Sequence, residues 1–201
     1  MVSGFFSHEL PETSPEAAER ARWRPPPWMQ APDDELPAVL ATPHILGRSD
    51  RVVVFFSTVE VFSVGVRIPI EYVARRRDEA ELEWQVTLHG LHGSYSARPD
   101  ALRLGVELAD GVRLGTHLEP HQPFTEEQPA TPTLVSHGFG GGGGPDEWRG
   151  TSGVWLWPLP PPGKLDVVAE WLALGLPESR VTLDATAIRV AAADARQLWA
   201  D

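Results

Sequence analysis

Between Val64 and Arg75 the chain alternates apolar and polar side chains with a period of two. Val64, Val66, Ile68, Ile70, Tyr72 and Ala74 share one face of an extended segment, and Gly65, Arg67, Pro69, Glu71 and Arg75 share the other. That period belongs to a half-buried β-strand and to no helix. Pro69 has no N–H to give to a ladder, which predicts a sheet edge or a bulge at that point. Upstream, residues 52–62 read as the hairpin partner of this strand, turned around residues 63–65. The same alternation recurs at Leu82, Trp84, Val86 and Leu88, and again at Leu102, Leu104, Val106 and Leu108. Asp110-Gly111 then joins the last run to Val112, Leu114, Thr116 and Leu118. Such a dipeptide between alternating runs predicts a hairpin with a type I′ turn.

Composition supports many short strands. Glycine (18) and proline (20) are 38 of 201 residues, well above the usual sum of about 12%, so long helices are excluded from most of the chain. Further strands are expected over residues 154–159, 165–171 and 180–184. No long helix is predicted between residues 51 and 183, which rules out a parallel α/β sheet. Strands with one apolar face bury best as two sheets packed face to face. The expected fold is therefore mainly β, a two-sheet antiparallel β-sandwich, with a closed β-barrel as the alternative. Residues 1–48 are expected to form a proline-rich arm, with a short helix over residues 15–22 and polyproline II at Pro25-Pro26-Pro27 between Trp23 and Trp28. Residues 49–201 are expected to form the sandwich domain, interrupted by a long glycine-rich loop at 119–151. Ile188, Ala191, Ala192, Ala195, Leu198 and Trp199 recur at helical spacing, so a short C-terminal helix should pack on the sheets.

Charge and cysteine content narrow the partners. The formal net charge of −11 repels phosphate backbones, and the one basic cluster, Arg75, Arg76 and Arg77, is followed at once by Asp78, Glu79, Glu81 and Glu83. Nucleic acid is not an expected partner. Cysteine is absent, which removes thiolate metal sites and cysteine nucleophiles and agrees with a reducing compartment. The N-terminal segment lacks the basic and apolar regions of a secretory signal. The apolar stretch of residues 52–70 carries Glu60, Arg67 and Pro69 and alternates with period two, so it reads as paired strands, not a membrane span. A cytoplasmic protein with no membrane partner is the expectation.

No motif specifies a reaction. His117, Glu119 and His121, with His89 and His92 nearby in sequence, offer zinc-ligand chemistry, but Pro120 spoils the spacing of a helical zinc motif. No metal, no catalytic residue and no cofactor is assigned. His137-Gly138-Phe139-Gly140 has the look of an oxyanion loop, yet no Gly-x-Ser-x-Gly elbow accompanies it. Lys164 follows a proline run and closes no phosphate-binding loop. Tryptophan is the compositional anomaly: eight are present, and Trp148, Trp155, Trp157 and Trp171 fall close together. Trp155 and Trp157 share a strand face, which predicts either a covered central strand, under the proline-rich arm or the C-terminal helix, or an exposed aromatic platform. Gly140 to Gly144 predict a mobile loop from 137 to 153. Trp148 at its tip, with Phe139, Asp146, Glu147 and Arg149 beside it, is the expected partner-binding site.

Trp23 with Pro25 to Trp28, Leu104 to Gly111, the glycine run, Trp155 to Pro160, Glu170-Trp171 and Leu198-Trp199 together resemble a family of uncharacterised proteins from high-GC actinobacteria. Sixteen arginines against one lysine fit such genomes. The resemblance implies no activity and no catalytic residue. The function expected from the residues is that of a non-catalytic protein acting through a protein partner or through self-association. The alternatives are a hydrolase or metal-dependent enzyme using the histidines and acids around the long loop, and a carbohydrate-binding module.

Overall fold

The computed structural model describes residues 24–89, 101–116, 127–138 and 140–199. Strand accounts for 52% and helix for 14%, so the period-two pattern governs the chain as a whole. The elements in order are β1 (Glu35–Leu36), β2 (Ala38–Arg48), β3 (Val52–Val61), β4 (Val66–Arg75), α1 (Glu81–His89), β5 (Arg103–Glu107), β6 (Arg113–Gly115) and β7 (Thr133–Ser136). There follow β8 (Gly140–Gly143), β9 (Glu147–Trp157), β10 (Lys164–Trp171), β11 (Leu176–Asp184), α2 (Ala185–Ala191) and β12 (Arg196–Gln197). The larger sheet runs β2-β3-β4-β9, with β7 and β8 lying end to end along the far side of β9. The smaller runs β11-β10-β5-β6, and β1 pairs β12 in a two-stranded ribbon. Adjacent strands are antiparallel, and the sheets do not close into a barrel. Among the described residues no helix is long and apolar enough to cross a membrane.

The two sheets share one core. Val54, Phe56, Val66, Ile68, Ile70, Tyr72, Val154 and Leu156 of the larger sheet are buried together with Leu104, Val106, Leu165, Val167 and Trp171 of the smaller. Tyr72 and Trp171 meet edge to face at 5.2 Å, the geometry that sets a ring's positive edge against its neighbour's negative face. Ile188 of α2 and Trp84 and Leu88 of α1 belong to the same core. The carboxylate of Asp184 caps α2 by accepting from the N–H groups of Thr186 and Ala187.

Pro69 lies in a central strand, and the ladder accommodates it by a bulge. Arg75 N–H donates to Arg51 O, so the odd-numbered residues of β4 turn their backbone groups toward β3. Opposite Pro69, β3 shifts its register between Phe55 and Glu60, where the missing donor would have been. The hairpin turned at residues 63–65 is as expected, closed by Phe62 N–H to Gly65 O. Gly65 is required by packing, because a Cβ there would lie 2.5 Å from the Trp155 ring.

Five expectations are corrected. Residues 81–89 form α1, not a strand: Trp84 and Leu88 are fully buried while Leu82 is 77% exposed. An i, i+4 pair satisfies period two and period 3.6 alike, and Glu81 and Glu83 in the first turn favour helix. The arm does not extend to residue 48, since β2 pairs with β3 along most of its length. The span 119–151 is not all loop, for it includes β7, β8 and the start of β9. Asp110-Gly111 makes a longer turn than type I′: Leu108 N–H donates to Val112 O, and only Gly111 has positive φ (86°), as in a type I turn followed by a left-handed glycine. The short C-terminal helix is present as α2, but it ends at Ala191 and does not reach Leu198 and Trp199, which are exposed beyond β12. The predicted helix at residues 15–22 lies outside the described residues.

Candidate functional site

The outer face of the larger sheet carries a second apolar cluster. Phe62 and Trp155 are buried there with Ala31, and Val64, Val135 and Trp157 pack around them. The cover is the proline-rich arm. The Trp155 Nε1–H donates to Pro27 O at 2.8 Å, and the Thr133 hydroxyl donates to Trp28 O at 3.0 Å. Trp28 stands edge-on to Trp157 at 5.9 Å, and Phe62 edge-on to Trp155 at 5.5 Å. The tryptophan pair on this face is thus a covered strand, not an exposed platform. Further along, the Glu35 carboxylate accepts from the backbone N–H and the hydroxyl of Ser63, and β1 ties the arm to β12.

Where this cover stops, a cleft of about 280 Å³ remains between arm and sheet. Ala31 and Phe62 supply its apolar side, Arg67 and His137 its sheet side, and Asp33 and Glu35 its arm side. Sheet register explains the opening. Arg67 pairs Trp155, which pairs Val135; in the next row Pro69 pairs Gly153, which accepts from His137 N–H at 2.8 Å. Gly153 presents no side chain between β4 and His137. The Arg67 guanidinium donates to the Glu60 carboxylate and sits 5.2 Å from the Phe62 ring centre. Burial, reinforced by the Arg67 charge and opposed by Glu60 and Asp33, holds the His137 imidazole below its usual pKa. At neutral pH His137 is therefore uncharged, Arg67 is balanced by Glu60, and the carboxylates of Asp33 and Glu35 leave the cleft acidic.

The residues expected to form a binding site are dispersed. Trp148 is half-buried and packs against the main core, whereas Glu147 and Arg149 alternate to the opposite face of β9. Glu147 pairs with Arg75 at 3.3 Å; Arg149 lies 3.9 Å from Glu71 and 5.8 Å over Phe55. The Asp146 carbonyl accepts from Arg76 N–H. Phe139 lies outside the described residues, as do His92, His117, Glu119, His121 and the His89 side chain. The His137 N–H is committed to Gly153 O of β9 and is not available as an oxyanion donor, and Gly138 adopts a left-handed φ of 62°. Among the described residues no three His, Cys, Asp or Glu side chains come together as metal ligands.

The cleft residues escaped the sequence because each looked ordinary alone. Arg67 read as the polar face of a strand, and Asp33 and Glu35 as arm. Only the two apolar faces of residues 154–157 signalled that something covers the sheet there. Comparison of the chain with protein-family models, curated proteins and solved structures finds no match.

Proposed function

We propose that the protein is a non-catalytic β-sandwich that binds a protein partner, with the arm–sheet cleft receiving a basic side chain of that partner. The observation that carries this reading is the chemistry of the lining. Carboxylates of Asp33 and Glu35 face a neutral His137 and an Arg67 already paired with Glu60, and among the described residues the lining contains no serine, threonine, cysteine or lysine that would act as a nucleophile. Phe62 and Ala31 would cover the methylene stem while the carboxylates meet the charged head. A carbohydrate platform is less well supported, because Trp155 is fully buried and Trp157 is capped by Trp28.

Titration of the full chain with butylguanidinium, and separately with acetate, tests the reading by NMR of the His137 ring. Butylguanidinium is expected to shift it and Asp33→Asn to weaken the response about tenfold, the loss of one charge-assisted contact. Acetate binding in place of the cation, or hydrolysis of ester probes that disappears in His137→Asn, would replace the proposal with the enzyme alternative.

A further inference from the structure

A sheet edge is a row of unpaired backbone donors and acceptors, and native proteins usually guard it. In this protein most edges are guarded. β2 carries Pro43 and two register shifts, and it lies against β11, where a Cβ on Gly47 would meet Leu176 at 2.8 Å. β6 of the smaller sheet approaches β7 of the larger. β8 is different: among the described residues it pairs only with β9.

The register fixes what β8 presents. Gly144 N–H donates to Glu147 O and closes the hairpin. Because antiparallel pairs alternate, Gly142 and Gly140 turn their N–H and C=O groups toward β9, and Gly141 and Gly143 turn theirs outward. On the inner face the Trp148 indole reaches across from β9 under the strand, so that a Cβ on Gly141 would lie 2.5 Å from its Nε1. On the outer face a Cβ on Gly142 would meet nothing within 4 Å among the described residues. Its partner Arg149 is 64% exposed and only 3.9 Å from its nearest carboxylate, Glu71. A strand without side chains therefore leaves Trp148 on the inner face, and Arg149 and the small Thr151 on the outer, as the first side chains an added strand would meet.

We infer that the outer edge of β8, unpaired among the described residues, takes an extended segment of a partner protein as an additional strand, with an apolar side chain on Trp148 and an acidic one facing Arg149. Glycine inside a strand is a place where another backbone can approach closely, and edge addition of this kind draws affinity from main-chain hydrogen bonds and specificity from alternate side chains. A second copy is the poorer occupant, since its own β8 brings neither an apolar nor an acidic side chain. The inference is independent of the cleft.

The test is amide hydrogen exchange on the full chain, read at Gly140 to Gly143 by NMR, with a short peptide alternating valine and glutamate. In the free protein Gly141 and Gly143 are expected to exchange faster than Gly140 and Gly142. The peptide is expected to slow Gly141 and Gly143 about tenfold or more and to leave the other two unchanged. A lysine-for-glutamate peptide should protect less, and Arg149→Glu should reverse the order of the two peptides. Unchanged exchange at millimolar peptide, or equal protection by a copy N-methylated at every residue, overturns the inference. Protection that rises with protein concentration alone assigns the edge to a second copy and overturns the proposed occupant.

Discussion

Glycines in this chain do opposite jobs at neighbouring positions. Gly150 lies in β9 opposite Tyr72, and a Cβ there would sit 2.1 Å from the Tyr72 ring and hydroxyl. Tyr72 occupies the space that glycine vacates. Gly142, on β8, faces open space. Alanine is accordingly expected to have contrasting effects. Gly150→Ala overpacks the interior and should destabilise the protein by about 1–3 kcal/mol. Gly142→Ala should be neutral or stabilise by up to about 1 kcal/mol, because it restricts the unfolded chain without a clash. Urea unfolding of the two variants checks both, and equal losses would show that the packing of Tyr72 does not depend on Gly150.

At the scale of elements, the arm is held to the sheet by a few defined contacts, of which the Trp155 indole bond to Pro27 O is the most enclosed. Trp155→Phe keeps most of the ring and removes the donor, leaving Pro27 O unpaired. It should cost about 1 kcal/mol and should speed proteolysis within residues 24–34 before the sandwich itself unfolds. Trp155→Ala removes the cluster's largest member and should cost about 3–5 kcal/mol. If Trp155→Phe leaves the arm as resistant as before, the remaining contacts to Trp157, Thr133 and Ser63 suffice to hold it.

For the whole molecule, titratable groups set a pH window. Burial keeps His137 neutral, with a pKa below its ordinary 6.5, so folding stability is full above pH 6.5 and declines as pH falls below it, where the unfolded chain takes up the proton more readily. Asp166, almost fully buried on the smaller sheet, is held below the usual carboxylate pKa by the Thr182 hydroxyl and then by Lys164 and Arg180; its contribution is present above about pH 3.8 and is lost on further acidification. Burial pushes the Tyr72 phenol up to about 12, so stability falls again as pH rises from 10 toward 12. Thermal unfolding against pH is therefore expected to show a plateau from about pH 6.5 to 10. His137→Gln should flatten the decline between pH 6.5 and 5, and Tyr72→Phe should extend the alkaline limit. A decline below pH 6.5 unchanged by His137→Gln would show that the imidazole is no more desolvated folded than unfolded.

The class of fold was legible in the sequence, because strand alternation is a local property: Val66, Ile68, Ile70 and Tyr72 are buried on the core face, and the polar Arg67 and Glu71 between them are not. Also legible there were the hairpin at 63–65, a glycine-bearing turn at 110–111 and a short helix around Ile188, where the signal lies within a few residues of its effect. What tertiary structure decided was everything that depends on which surfaces meet. The pattern at Trp84 and Leu88 fits strand and helix equally, and only burial against the sandwich core separates them. The four glycines of β8 have no side chains with which to announce a strand, and it is the ladder to β9 that makes one. Asp33, Glu35, Arg67 and His137 are spread across more than a hundred residues, and they become one cleft because Trp155 and Phe62 bury their rings under the arm and the cover ends beside Gly153.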